Sequence, residues 1–187
     1  MATRLILLCT GATATSRAGG FPTVDEPLDE GGLRKAEGRA LGVPFARQIW
    51  SSPARAARET ATALRIEGPA ESALADIDHG NWSGRSLADL GSDDPEALAR
   101  WLADPSQGAP GGETMAQVVD RVGAWLDRQA DADDMVIGVT HAAVIRASLA
   151  HALRMPLRAT FQIDIAPLSV TILSFNRIWR LQELRPL

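Results

Sequence analysis

The sequence predicts an α/β protein: three layers, α/β/α, with a mostly parallel central sheet and an antiparallel hairpin at its C-terminal edge. Three observations predict it. Short, fully apolar runs such as Leu5-Ile6-Leu7-Leu8-Cys9 read as strands buried on both faces. Amphipathic helical stretches alternate with them, as parallel crossovers require. The tail instead alternates residue by residue on either side of Asn176-Arg177, the mark of a hairpin. At 187 residues the chain is expected to form one domain, 1–187, large enough to bury a core.

The elements follow in order. The first strand ends at Thr10-Gly11. Residues Thr13 to Pro27 hold Gly19, Gly20, Pro22 and Pro27 and are read as loop. A helix is expected from about Asp29 to Leu41, weakened by Gly31, Gly32 and Gly38. Arg47 to Ser51 reads as a second strand. Ser52-Pro53 reads as a helix opening, serine as cap and proline in the first turn, with the helix running to about Arg65. Ile77 to Gly84 reads as loop, Pro95 to Leu102 as helix, and Pro105 to Gly112 as loop. Glu113 to Ala130 is a long helix with apolar Val118, Val122, Trp125 and Leu126 at helical spacing. Met135 to Val139 is a strand, followed by His141 and a helix from Ala142 to about Leu153. The hairpin pairs Ser169–Phe175 with Ile178–Leu184.

Composition narrows the function classes. Hydrophobic residues make 45% and charged residues 22%, a globular balance. The net charge of −4 offers no bulk attraction to nucleic acid or to an anionic membrane. Apolar runs are too short for a span or a signal-peptide core, so a cytoplasmic protein is expected. One cysteine, Cys9, excludes an internal disulfide and a cysteine metal cluster, and the three histidines show no metal-ligand spacing. No metal and no cofactor is expected.

Ligands of parallel sheets bind beyond the carboxyl ends of the strands, and Thr10 and His141 both lie at such ends. Cys9 reads either as a thiolate nucleophile or as a small buried residue; its next arginine, Arg17, is not at the spacing of a cysteine phosphatase. Gly11 to Ser16 offers hydroxyls and amides to a weak anion but lacks the glycine-lysine pair of a P-loop. Trp82 and Trp101 read as core or lid packing and His151 as a surface residue.

Six segments, in order, resemble the histidine phosphatase (phosphoglycerate mutase-like) superfamily. Cys9-Thr10-Gly11-Ala12-Thr13 stands where that family has Arg-His-Gly-Glu-Thr. Pro27-Leu28-Asp29-Glu30-Gly31 is similar to Pro-Leu-Thr-x-x-Gly. Ser51-Ser52-Pro53 with Thr60-Ala61 is similar to Ser-x-Leu-x-Arg-Ala-x-x-Thr-Ala. Asp76 to Gly84 is similar to Glu-x-Asp-Phe-Gly-x-Trp-Glu-Gly, Pro110 to Thr114 to Pro-Gly-Gly-Glu-Ser, and Val139 to Arg146 to Val-Ser-His-Gly-Gly-Val-Ile-Arg.

The resemblance implies a phosphoglycerate mutase-like fold and, for the family, phosphoryl transfer through a covalent phosphohistidine. Two arginines and a second histidine hold the phosphate, and a carboxylic acid protonates the leaving group. Such chemistry depends on preorganised positive donors. In this chain the signature arginine position holds Cys9, the nucleophile position Thr10, the second arginine position Ala56 and the acid position Asp76. The second histidine is present as His141. Each lost charge-assisted hydrogen bond removes roughly 1.5–3 kcal/mol, and a lost nucleophile typically costs on the order of 10⁶ in turnover in the triad enzymes.

The expectation is a catalytically inactive pseudoenzyme that binds a small anion or a partner protein. The candidate ligand-binding residues are Thr10, Gly11, Thr13, Arg17, Ser52, Arg55, Asp76, His79 and His141. With so little positive charge, phosphate should bind in the millimolar range or more weakly, about −4 kcal/mol. The alternative is an altered phosphoester hydrolase using His141 with Asp76 and Thr10 or Cys9; a third reading is a purely structural or interaction role. Ligand, partner and oligomeric state are left open by the sequence.

Overall fold

A computed structural model describes residues 3–42, 46 and 48–187. Its centre is a five-stranded sheet: β1 (Thr3–Cys9), β2 (Gln48–Ser51), β3 (Met135–Thr140), β4 (Ser169–Asn176) and β5 (Ile178–Pro186). Their order across the sheet is β2-β3-β1-β4-β5. β1 and β2 each pair in parallel with β3, whereas β4 runs antiparallel to both β1 and β5. The mostly parallel centre and antiparallel C-terminal edge are therefore as expected. Arg47, expected to open β2, lies outside the described residues.

Successive residues of a strand point to opposite faces, so the apolar run of β1 serves two cores. Leu5, Leu7 and Cys9 pack with Val118, Val122, Trp125 and Leu126 of α6 (Met115–Ala130) and with Val144 and Ile145 of α7 (Ala142–Leu153). Ile6 and Leu8 pack on the other face with Ala57 and Ala61 of α3 (Arg55–Ala63). That is the three-layer arrangement. A third cluster, Phe21, Trp82, Leu90, Ala97 and Ala109, forms beside the carboxyl ends of the strands.

Several local expectations are corrected. The segment read as loop after β1 contains the single turn α1 (Ala14–Arg17), closed by a capping box between Thr13 and Ser16. α2 (Glu30–Glu37) stops at Gly38, short of Leu41, because the glycine ends it. Ser52 does not cap α3. That helix starts at Arg55, its cap residue Ala54 uses no side chain, and Ser52 Oγ accepts the Ala54 N–H at 3.1 Å instead. α4 (Leu87–Asp93) was not expected, although Ser86 and Asp89 spell out its capping box. α5 (Pro95–Ala103) matches, and α6 starts at Met115 with Thr114 as cap. A last short helix, α8 (Leu157–Thr160), precedes β4. No helix among the described residues is long and apolar enough to cross a membrane.

Candidate functional site

The parallel strands β1 and β3 end side by side, and that places Cys9-Thr10 next to Thr140-His141. Cys9 pairs with Thr140 in the sheet register, and the Thr10 N–H continues the ladder to the Thr140 carbonyl at 2.7 Å. Cys9 is 4% exposed. Burial pushes its thiol up to about 12, with Asp76 adding to the rise and Arg146 opposing it. The thiol is thus protonated at neutral pH and is a poor nucleophile.

The Thr10 hydroxyl is committed elsewhere. Thr60 Oγ1 donates to the Ala56 carbonyl at 2.7 Å and accepts the Gly11 N–H at 3.0 Å. A hydroxyl has one proton, so the 3.1 Å bond between Thr10 and Thr60 uses the proton of Thr10. Thr10 can then offer the cavity lone pairs only. The α3 register that places Thr60 here also puts Ala56 one turn earlier on the same wall.

His141 forms the opposite wall, 7% exposed, at the N-terminus of α7. Its Nδ1 lies 3.3 Å from Asp76 Oδ2 and its Nε2 lies 2.8 Å from Ser52 Oγ. The Asp76 contact is an ion-pair distance, and the Ser52 contact is the ring's hydrogen bond, with its donor set by the tautomer. Both ring nitrogens thus face polar groups of the protein. Ser52 is fully buried and stands behind the imidazole, outside the cavity lining, so it positions His141.

Asp76 and His79 are delivered by two loops that clasp each other. Gly80 has φ +50°, and a Cβ there would sit 2.4 Å from the Gly112 nitrogen, so only glycine admits this approach. The Asn81 N–H donates to the Pro110 carbonyl, and the Asp78 N–H donates to Glu113 Oε2 at 3.0 Å. Arg121 closes the clasp, holding Glu113 through two nitrogens at 2.8 and 2.9 Å and the carbonyls of Ala73 and Asp76. Burial pushes the Glu113 carboxyl up, but the bonds from Arg121 and Asp78 outweigh it and hold the group below its ordinary value. His79 packs edge-on against Phe21, with ring centroids 5.0 Å apart. Burial lowers its pKa, against the opposing pull of Asp76 and Asp78.

These pieces surround an open cavity of about 670 Å³, the size of a small-molecule site. Cys9, Thr10, Gly11, Thr13, Ala56, Asp76, His79 and His141 line it. Arg17 and Arg55 do not: Arg17 pairs with Asp29, which holds that carboxyl down at about 2, and Arg55 pairs with Glu59 at 2.7 Å. Both arginines find a nearer carboxylate on the outer surface. His151, read as a surface residue, is half-buried against Gly123 and bonds Asp127 at 2.9 Å. Trp82 and Trp101 pack on each other and on Phe21. Among the described residues no group of three or more His, Cys, Asp or Glu side chains could hold a metal ion.

Sequence reasoning missed Arg146. It stands in the quoted Val139–Arg146 segment, four residues after Ala142, and both line the cavity. That spacing places the two on one face of α7, which was the available signal.

The family model for the histidine phosphatase superfamily (branch 1) matches residues 5–183. A bifunctional protein of Mycobacterium tuberculosis is 32% identical over 187 residues, covering 90% of this chain and 50% of its own length. The chain thus spans about half the length of the curated mycobacterial relatives it matches. Phosphoserine phosphatase 1 of Hydrogenobacter thermophilus is 32% identical over 135 residues, covering 66% of this chain and 63% of that protein. A mycobacterial glucosyl-3-phosphoglycerate phosphatase superposes with a TM-score of 0.85 at 27% identity over 100% of both chains. The chain belongs to the histidine phosphatase superfamily, branch 1.

Proposed function

We propose that this protein keeps the histidine phosphatase scaffold without phosphohistidine chemistry, and that its open pocket binds a small anion or a partner protein. One observation carries the reading: the strand-end position of the nucleophile holds a threonine hydroxyl whose proton is given to Thr60. No imidazole stands there to attack phosphorus. The two arginine positions hold the buried Cys9 and Ala56, so the donors that stabilise a phosphoryl transition state are missing as well. The relatives at this fold include phosphatases.

A second reading, an altered phosphoester hydrolase, draws support from the Asp76–His141 contact, which resembles an oriented general base. Against it, His141 Nε2 is already bonded to Ser52, Thr10 makes no hydrogen bond to His141, and Cys9 is protonated.

The test is hydrolysis of p-nitrophenyl phosphate by the native protein beside a triple variant, Cys9→Arg, Thr10→His and Ala56→Arg. All three positions line the cavity. The native protein should be silent and the triple variant should turn over. Native turnover that disappears in His141→Ala would establish the hydrolase reading instead.

A further inference from the structure

We propose that the pocket recognises a carboxylate carried on an apolar body, with the Arg146 guanidinium as its anchor. The inference rests on the reading of the site as a binding pocket and names its ligand class.

Arg146 is half-buried, lines the cavity and makes no ion pair among the described residues. Its Nε and Nη2 both donate to the Ile163 carbonyl, at 3.3 and 3.1 Å. That occupies the side edge of the guanidinium and fixes its plane. The end edge, Nη1 with the outer hydrogen of Nη2, has no hydrogen-bond partner among the described residues. Such an edge matches the two oxygens of a carboxylate. The charge of the exposed Asp164, next to Ile163, reaches the guanidinium without an ion pair among the described residues, and a half-buried arginine so held is costly to keep unless something else meets it.

The charge balance selects the class of anion. The charged side chains lining the cavity, with histidines neutral, are Arg146 against Asp76 and Asp78. Asp76 lies 3.3 Å from His141 Nδ1, and Asp78 is exposed and accepts the Gly80 N–H. With one cation against these two acids, a monoanion meets less repulsion than a dianion. A phosphate dianion would need the additional cations that positions 9 and 56 lack. Much of the remaining lining is apolar, including Phe21, Val24, Pro53, Ala56, Ile77 and Ile165, and suits a hydrocarbon or aryl body.

The experiment is a calorimetric ladder on the native protein at neutral pH. The probes are 3-phenylpropionate, 3-phenylpropanol, 3-phenylpropylamine and 3-phenylpropyl phosphate. The carboxylate should bind about tenfold or more tighter than the alcohol and the amine, and tighter than the phosphate ester. Arg146→Gln should lose that margin, and Arg146→Lys should keep part of it. Because the ladder is read on the native protein, the inference stays testable even if the variants fold poorly. Equal affinity for alcohol and carboxylate, or a preference for the phosphate ester, overturns it. A protein that ignores carboxylates but hydrolyses no phosphate ester overturns this inference alone. Hydrolysis of 3-phenylpropyl phosphate in the calorimeter overturns the binding-pocket reading beneath it.

Discussion

Two walls of the same cavity differ in how tightly their chemistry is held. The wall built from the Asp76–Gly84 and Pro110–Thr114 loops is locked. Gly80 meets Gly112 at contact distance, and Arg121 ties Glu113 to two backbone carbonyls. The wall built from β1 and α3 carries small neutral side chains, Cys9, Thr10 and Ala56, with Thr60 bonding Thr10, the Gly11 N–H and the Ala56 carbonyl. The first wall depends on specific residues for its shape. The second could accept different side chains with little change in the fold. A scaffold can therefore persist while the residues that would do chemistry on it are exchanged.

Breaking the locked wall should give the largest effects. Gly112→Ala places a Cβ 2.2 Å from the Asp78 carbonyl oxygen, so a loop must move. Urea unfolding should show a loss of roughly 2–4 kcal/mol, as for other overpacked or strained sites. Glu113→Ala strands the partly buried Arg121 guanidinium and the Asp78 N–H. It should cost about 2–3 kcal/mol by the same measurement. An unchanged midpoint in either variant would show that the two walls do not differ.

The permissive wall should respond less. Thr10→Val removes one hydroxyl bond and should cost about 1 kcal/mol. Cys9, buried and protonated, should resist iodoacetamide at pH 8 in the folded protein and react only on unfolding. Rapid alkylation of the native protein would show that the strand end opens.

The smallest effect concerns pH. His79 has its pKa lowered by burial from an ordinary 6.5, so the unfolded chain binds this proton more readily than the folded one. Its contribution is fully present above about 6.5 and is lost as pH falls from there through the lower folded value. His79→Phe should therefore flatten the stability profile below pH 6.5, read as midpoint against pH. A parallel profile in the variant would mean that His79 does not titrate between the two states.

Much of this was legible in the chain. The uninterrupted Leu5–Leu8 run identified a central strand because only a strand covered on both faces can be apolar at every position. The alternating tail identified the hairpin. Helix starts were harder. Ser52-Pro53 has the composition of a cap, yet the structure sends Ser52 to His141, because a residue 89 positions away supplies a partner that local patterning cannot register. α4 was overlooked in a polar stretch despite its capping box.

The five strands, the longer helices, the family and the identities at positions 9, 10, 56, 76 and 141 were determined by sequence alone, because apolar periodicity and motif spacing are local properties. Tertiary structure decided the direction of each polar group. It sent the Thr10 proton to Thr60, bonded His141 Nε2 to Ser52 beside Asp76, turned Arg17 and Arg55 outward to Asp29 and Glu59, and left Arg146 lining the cavity. Hydrogen bonds and ion pairs are made between elements far apart in the chain, and their partners exist only once the sheet has brought the ends of β1 and β3 together.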